Sequence, residues 1–311
     1  IFDMHSYSNP GYFLHQKTAY FVGDFQLKYE IPSKIYGFRV AYIFNRFSNE
    51  ENGGLSDFTE EKSDIYDYND FLEQNADNLQ GYSVNSQYAT GKVVSHDLLF
   101  QQYVNIITKK KRYLGTLTHT IQYQNFKKNY FDTSLDTLYY NTYNFSADTT
   151  NDSIRYLSVL NTLQWSSFSP FEKLSDKKYF IHFSGGLMHE YSENRLFKYF
   201  GNTFTLFAST QIRLFAVIDI AGKISYSFLG YNNNDAVANA KVSWAINRKK
   251  EHYIGLESAY YRVAPDYIYS YYSGNHNYWD TSWSKQNILT LSAFWTRTKY
   301  KVAFNYFMLH D

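Results

Sequence analysis

The chain has 311 residues, a formal net charge of +1 and no cysteine, so composition offers no disulfide frame, zinc knuckle, thiol nucleophile or basic surface for nucleic acid. A mean hydropathy of −0.49, with no apolar run of about 18 residues, excludes a helical membrane protein. Aromatics at 21%, with 33 Tyr and 26 Phe, suit a β-barrel that carries rings in its lipid band and girdles, and the four prolines all fall outside the proposed strands.

Residues 1–16 read as aromatic and irregular, the tail of a preceding strand. From 17 to 30, Ala19, Phe21, Gly23, Phe25, Leu27 and Tyr29 alternate with Asp24, Gln26 and Lys28, which is a strand with one apolar face. A second strand follows at 35–47. Residues 48–93 are polar and acidic, and read as a long extracellular loop with room for a short helix near 68–75 or a strand extension at 82–90. Strands at 94–108 and 113–126 flank the basic turn 109–112, and 127–151 is a second long polar loop. Strands then run at 152–166, 178–192 and 200–213. Asn161 interrupts the apolar parity of the first of these, and the pattern gives no reason for it.

The clearest stretch is 215–247. Ile218, Ile220, Gly222, Ile224, Tyr226 and Phe228 alternate with Asp219, Ala221, Lys223, Ser225 and Ser227; the alternation resumes with Ala236, Ala238, Ala240, Val242, Trp244 and Ile246. The Gly230–Asp235 turn between them is built from residues that tolerate positive φ, so the pair reads as a hairpin. Strands at 251–263, 282–297 and 299–311 complete a set of twelve, with an aromatic loop at 264–281.

Short and long connections alternate along the chain, as they do between the periplasmic and extracellular ends of outer-membrane barrels. Trp165, Trp244 and Trp295 each fall near a short turn, where an interfacial aromatic girdle would lie. Tandem soluble sandwiches would explain the alternation but not this coincidence. The fold class expected is therefore all-β, an antiparallel transmembrane β-barrel with about 12 strands in this chain and about 14–16 in a longer protein of which it is a piece.

Several stretches resemble the putative-porin family of Bacteroidetes outer-membrane barrels. They are Asn52-Gly53-Gly54, Phe100-Gln101-Gln102-Tyr103, the run from Leu117 to Tyr123 and, most sharply, the runs Gly230–Asp235 and Tyr271–Asp280. In the family a Gly usually precedes the Asp of the first of those two runs; Asn234 stands there in this chain. The resemblance implies a barrel with a transport role and neither catalytic residues nor a cofactor.

The bland readings prevail over catalysis and metal binding. The acidic residues between Glu50 and Asp70 lack EF-hand spacing and read as a solvated loop. His182 and Ser184 share a polar parity but have no evident orienting group, so lumen lining is favoured over a hydrolase. His119 falls on the lipid parity. The dense rings of 267–279 suit a self-packed cluster better than a sugar platform.

Charges at membrane depth must face water or one another. The expected lumen lining is Arg39, Gln122, His182, Glu190, Arg213, Asp219, Lys223, Lys241, Glu257 and Lys301. The function expected is diffusion of small hydrophilic solutes across the outer membrane through a constricted lumen, with loop 48–93 folded inward as the constriction. A plugged structural or docking barrel within a larger envelope assembly is the alternative. The expected partners are the bilayer, outer-leaflet lipopolysaccharide, the solutes and other outer-membrane proteins.

Overall fold

The computed structural model describes residues 1–54, 84–108, 112–133, 142–167, 179–194, 199–246, 252–297 and 299–310. Thirteen strands form one antiparallel sheet in chain order. They are β1 (Phe2–Asn9), β2 (Thr18–Glu30), β3 (Tyr36–Glu50), β4 (Thr90–Ile107), β5 (Tyr113–Asp132), β6 (Thr150–Ser166), β7 (Phe180–Asn194), β8 (Tyr199–Leu214), β9 (Ile218–Leu229), β10 (Ala236–Ala245), β11 (His252–Val263), β14 (Gln286–Arg297) and β15 (Tyr300–His310). A helical turn, α1 (Tyr267–Ser270), and a two-stranded hairpin, β12 (Tyr271–Ser273) with β13 (Tyr278–Asp280), lie between β11 and β14. No helix among the described residues is long and apolar enough to cross a membrane.

Period-two patterning builds both faces. Register carries one apolar row across seven strands: Leu27, Val40, Phe100, Ile121, Asn161, His189 and Phe204. A second runs Ile212, Ile220, Val242, Leu256, Ala293, Phe304. Many side chains on this face are open to the surroundings, among them Leu256, Ile224 and Phe304. A soluble sheet would cover them.

Asn161 lies directly between Ile121 and His189. Polar groups on this face find partners on the same face. The Tyr42 hydroxyl meets His96 Nδ1 at 2.8 Å, and His189 Nε2 meets Asn202 Oδ1 at 2.9 Å while its ring lies 4.5 Å from that of Phe204. Local pairing limits what polar groups cost on an apolar surface. His119 is on this face too, opposite Gln102 and Leu163.

The structure corrects three readings. Residues 1–16 are not irregular throughout, because Phe2–Asn9 pairs residue for residue with β2. Ile1, Met4 and Tyr7 recur every third residue, which masks period two. The first long connection runs 51–89 rather than 48–93, and the second 133–149 rather than 127–151. Backbone ladders continue past the apolar band, where Asn49, Glu50, Lys128 and Asn129 pair as well as any leucine. The last long connection is itself structured, by α1, β12 and β13. The expected helix near 68–75, most of the acidic loop and the basic turn at 109–111 lie outside the described residues.

The connections after β1, β3, β5, β7, β9 and β11 share one end of the sheet, which includes all the long ones except 167–179, between β6 and β7 at the other end. Asn52-Gly53-Gly54 closes the base of connection 51–89. Ser86 and Asn85 donate backbone N–H groups to the carbonyls of Asn52 and Gly54 at 2.8 and 3.0 Å.

Candidate functional site

The connection from β11 to β14 is a strap with two feet and a tip. Its feet meet at Asp235, in the turn between β9 and β10. The Asp235 carboxylate accepts the backbone N–H of Ala264 at 2.9 Å and pairs with Lys285, the two ends of the strap. Tyr231 of the same turn donates its hydroxyl to the Pro265 carbonyl at 2.8 Å and meets the Tyr267 ring edge-on at 5.4 Å. This turn needs special backbone at both ends. Gly230 has φ +97°, and a Cβ there would lie 2.2 Å from the Asn202 carbonyl oxygen. Asn234 has φ 66°, a left-handed conformation that Asn enters at low cost.

The strap's rings pack on one another. Tyr272 and Trp279 stack at 4.6 Å across β12 and β13, and the indole N–H groups of Trp279 and Trp283 donate to the carbonyls of Ile268 and Tyr269 at 2.9 and 2.8 Å. This self-packed cluster uses both ends of each tryptophan, the apolar face and the polar handle.

The tip docks onto the connection between β5 and β6. Asn275 is buried, at 2% exposure. Its Oδ1 accepts the backbone N–H groups of Phe145 and Ser146 at 3.1 and 3.0 Å, and its Nδ2 donates to the Ser146 carbonyl at 2.9 Å and Thr150 Oγ1 at 3.0 Å. Its own N–H reaches Asp152 Oδ1 at 2.9 Å, and His276 Nε2 lies 2.6 Å from Thr150 Oγ1. Burial, with the Asp152 carboxylate beside it, pushes the Tyr272 phenol above its ordinary value, so the ring stays neutral in this cluster. From β11 to β6 the strap passes five strand positions, about 24 Å along the sheet.

Thr150 and Asp152 lie on the polar face of β6, the parity of Tyr156 and Ser158. The strap therefore overlies the polar face, not the apolar one. Beneath it, Glu190 accepts hydrogen bonds from Tyr156 at 3.2 Å and Ser158 at 2.8 Å, and Asp266 of the strap is within electrostatic reach of Tyr156.

All ten residues expected to line a lumen fall on this polar face by register. The structure brings four of them together in pairs. Arg213 Nε and Asp219 Oδ1 are 2.6 Å apart as direct cross-strand partners, and Lys241 Nζ and Glu257 Oε2 are 3.7 Å apart. Lys223 lines one open pocket on this face with His182, Lys241 and Glu257, while Arg39, Gln122 and Lys301 lie on β3, β5 and β15. His182 bonds Ser166 Oγ at 2.9 Å, while Ser184 bonds Ser209 at 2.7 Å, so the Ser–His combination read from the sequence does not form. Among the described residues no group of three or more His, Asp or Glu could hold a metal. Trp165, Trp244 and Trp295 all lie on the apolar face, each within three residues of its strand's end opposite the strap, where Trp244 and Trp295 precede short turns and Trp165 precedes the connection 167–179.

The strap's anchors were missed by pattern reading. Nothing in periodicity links residue 275 to residue 150 or residue 235 to residue 285. The signal present was the pair of runs Gly230–Asp235 and Tyr271–Asp280, which the structure shows to be the foot and tip of one device. Asp235→Ala removes both feet's common acceptor. Trypsin cleavage at Lys285 in the folded protein is expected to rise on the order of a hundredfold, as fits loss of one partner from a partly buried pair; an unchanged rate would show the feet are held elsewhere.

A family described as Putative porin matches residues 1–311. The chain belongs to this Putative porin family. Its sheet is similar to solved outer-membrane receptors. A mutant of the ferric enterobactin receptor (PfeA) from Pseudomonas aeruginosa in complex with enterobactin has a TM-score of 0.61 at 10% identity, over 94% of this chain and 43% of that one. The siderophore receptor PirA from Acinetobacter baumannii has a TM-score of 0.58 at 10% identity, over 94% and 43%. At that identity the likeness carries the fold alone, and the chain spans less than half the length of these receptors. No curated protein matches it. The fold is thus that of an outer-membrane β-barrel wall, with the strap on its polar side.

Proposed function

We propose that this porin-family chain builds the wall and the mouth of an outer-membrane pore through which small hydrophilic solutes diffuse. The observation that carries the reading is the strap of residues 264–285, locked at Asp235 and at Thr150–Asp152 over a face lined by charges of both signs. A wet lumen accounts for those charges, and a strap on that side narrows it. The strap takes the role first expected of the 48–93 connection. The apolar face would meet lipid, with Trp165, Trp244 and Trp295 as the girdle at the short-turn end and the long connections outside the cell.

Single-channel recording in planar bilayers tests this. Replacing residues 268–283 by a short Gly-Ser link should raise the conductance of the full chain at least about twofold and admit larger sugars in liposome swelling. Equal conductance with and without the strap would remove it as the constriction. If neither protein conducts, the plugged docking barrel replaces the pore.

A further inference from the structure

On the apolar face, cations cluster where the apolar band ends toward the long connections. Lys127 and Arg155 are direct cross-strand partners. Lys92 is diagonal to Lys127, whose partner on β4 is Val94, and Arg46 faces Val94 from β3. Like charges directly opposite one another repel and destabilise a sheet. Among the described residues none of the four makes an ion pair or a side-chain hydrogen bond. Two carboxylates on this face are diagonal to the group, Glu50 to Lys92 and Glu193 to Arg155, and none of the four cations forms an ion pair with either. Glu50 faces Thr90 and accepts the Lys17 N–H at 3.4 Å, while Glu193 faces Leu157 and Phe200. The next row toward the short-turn end holds Phe44, His96, Asn125 and Leu157, with Glu193 beyond; the two rows after it are mostly apolar or aromatic, Leu98, Tyr123 and Val159 in one, Phe100 and Ile121 beside Asn161 in the other.

A cationic group that outnumbers its two diagonal carboxylates and forms an ion pair with neither fits an anion supplied from outside. Its place selects the kind. It stands on the lipid-facing side, at the rim of the apolar band, where headgroups lie and acyl chains begin. Three adjacent strands set the cations over about 10 Å, enough to meet more than one phosphate. A free anion would have no use for the apolar rows that begin one row farther toward the short-turn end. We infer that Lys92, Lys127 and Arg155, with Arg46 beside them, bind the phosphates of a phosphorylated glycolipid in the outer leaflet, its acyl chains lying over Leu98, Phe100, Ile121 and Val159. The inference rests on the facing of the sheet and is independent of whether the pore conducts.

The test measures binding of bis-phosphorylated lipid A, and of the same lipid with its phosphates removed, to the full chain in detergent micelles. The variant Lys92→Gln/Lys127→Gln/Arg155→Gln is compared with Lys28→Gln/Lys34→Gln/Lys128→Gln, which removes the same charge away from the group. The first variant should bind the phosphorylated lipid on the order of a hundredfold more weakly; the second should bind as the wild type does. Without lipid, the first should unfold no more easily than wild type, since it loses a repulsion; if the triple variant does not fold, Arg155→Gln alone should weaken binding on the order of fivefold. The inference is overturned if the dephosphorylated lipid binds as tightly, if both triple variants weaken alike, or if inorganic phosphate competes at equal phosphate concentration, which would mark a soluble-anion site.

Discussion

Arginine introduced at Ile224 or Leu291 is expected to cost about 2–4 kcal/mol of folding stability in a bilayer at each site, whereas arginine at Ser225 or Thr290 is expected to cost little. The two members of each pair are chain neighbours on the same strand, so backbone, depth and ladder position are nearly held constant and only the face differs. Ile224 lies between Ala208 and Ala238 and is 59% exposed; Leu291 lies between Ser258 and Tyr306 and is 44% exposed. Such exposure of mid-strand aliphatic side chains is tolerable only against hydrocarbon. A guanidinium at mid-depth must shed its hydration or drag water inward. Ser225 points to the other face, between Phe207 and Val237, where an arginine can lie along the Phe207 ring and reach water. Folding into lipid vesicles, followed by heat-modifiable gel mobility, measures the difference. Equal loss in both sets would mean that the polar face is not wet.

Facing and strand order were legible because they follow from one local rule. Alternation fixes which side chains share a face, and short turns force neighbours to pair. The ten charged and polar residues from Arg39 to Lys301 fell on one face for that reason alone. The exceptions have physical causes. β1 was hidden because a short strand whose apolar residues recur at threes gives no period-two signal, though its backbone pairs throughout. Strand ends were drawn too short because hydropathy stops at the apolar band while hydrogen bonding runs on through Glu50 and Asp132. His189 was passed over within an apolar run, and only the register shows its partner Asn202 on the next strand. The strap was out of reach for a different reason. Its contacts join residues far apart in the chain through single hydrogen-bonded side chains, Lys285 to Asp235 across 50 positions and Asn275 to Phe145 across 130, and no periodicity encodes such contacts. Resemblance marked the right segments but not their connection. Their composition held a clue, since Asn, Asp and Gly beside Tyr and Trp suit a tight, ring-packed, hydrogen-bonded turn.

Asn275→Ala is expected to free the strap's tip without unfolding the sheet. The substitution removes an acceptor used by two backbone N–H groups and a donor used by the Ser146 carbonyl and Thr150 hydroxyl, at a site where Asn275 and Thr150 are themselves buried. Each buried group left unpaired costs about 1–3 kcal/mol. Reopening the site to water is then the cheaper outcome, because the strap remains tethered by its feet at Asp235 and by its own stacked rings. Hydrogen exchange at the Phe145 and Ser146 amides should accelerate at least about a hundredfold. Amides in the ladder between β9 and β10 should keep their wild-type protection, because Asn275 touches neither strand. Thr150→Val supplies an independent check, since it removes one partner of Asn275 and of His276 while keeping the shape of the side chain, and it should give a smaller acceleration at the same two amides. If neither substitution changes exchange at Phe145 and Ser146, the tip is not held by Asn275, and the mouth of the pore owes its shape to something other than this lock.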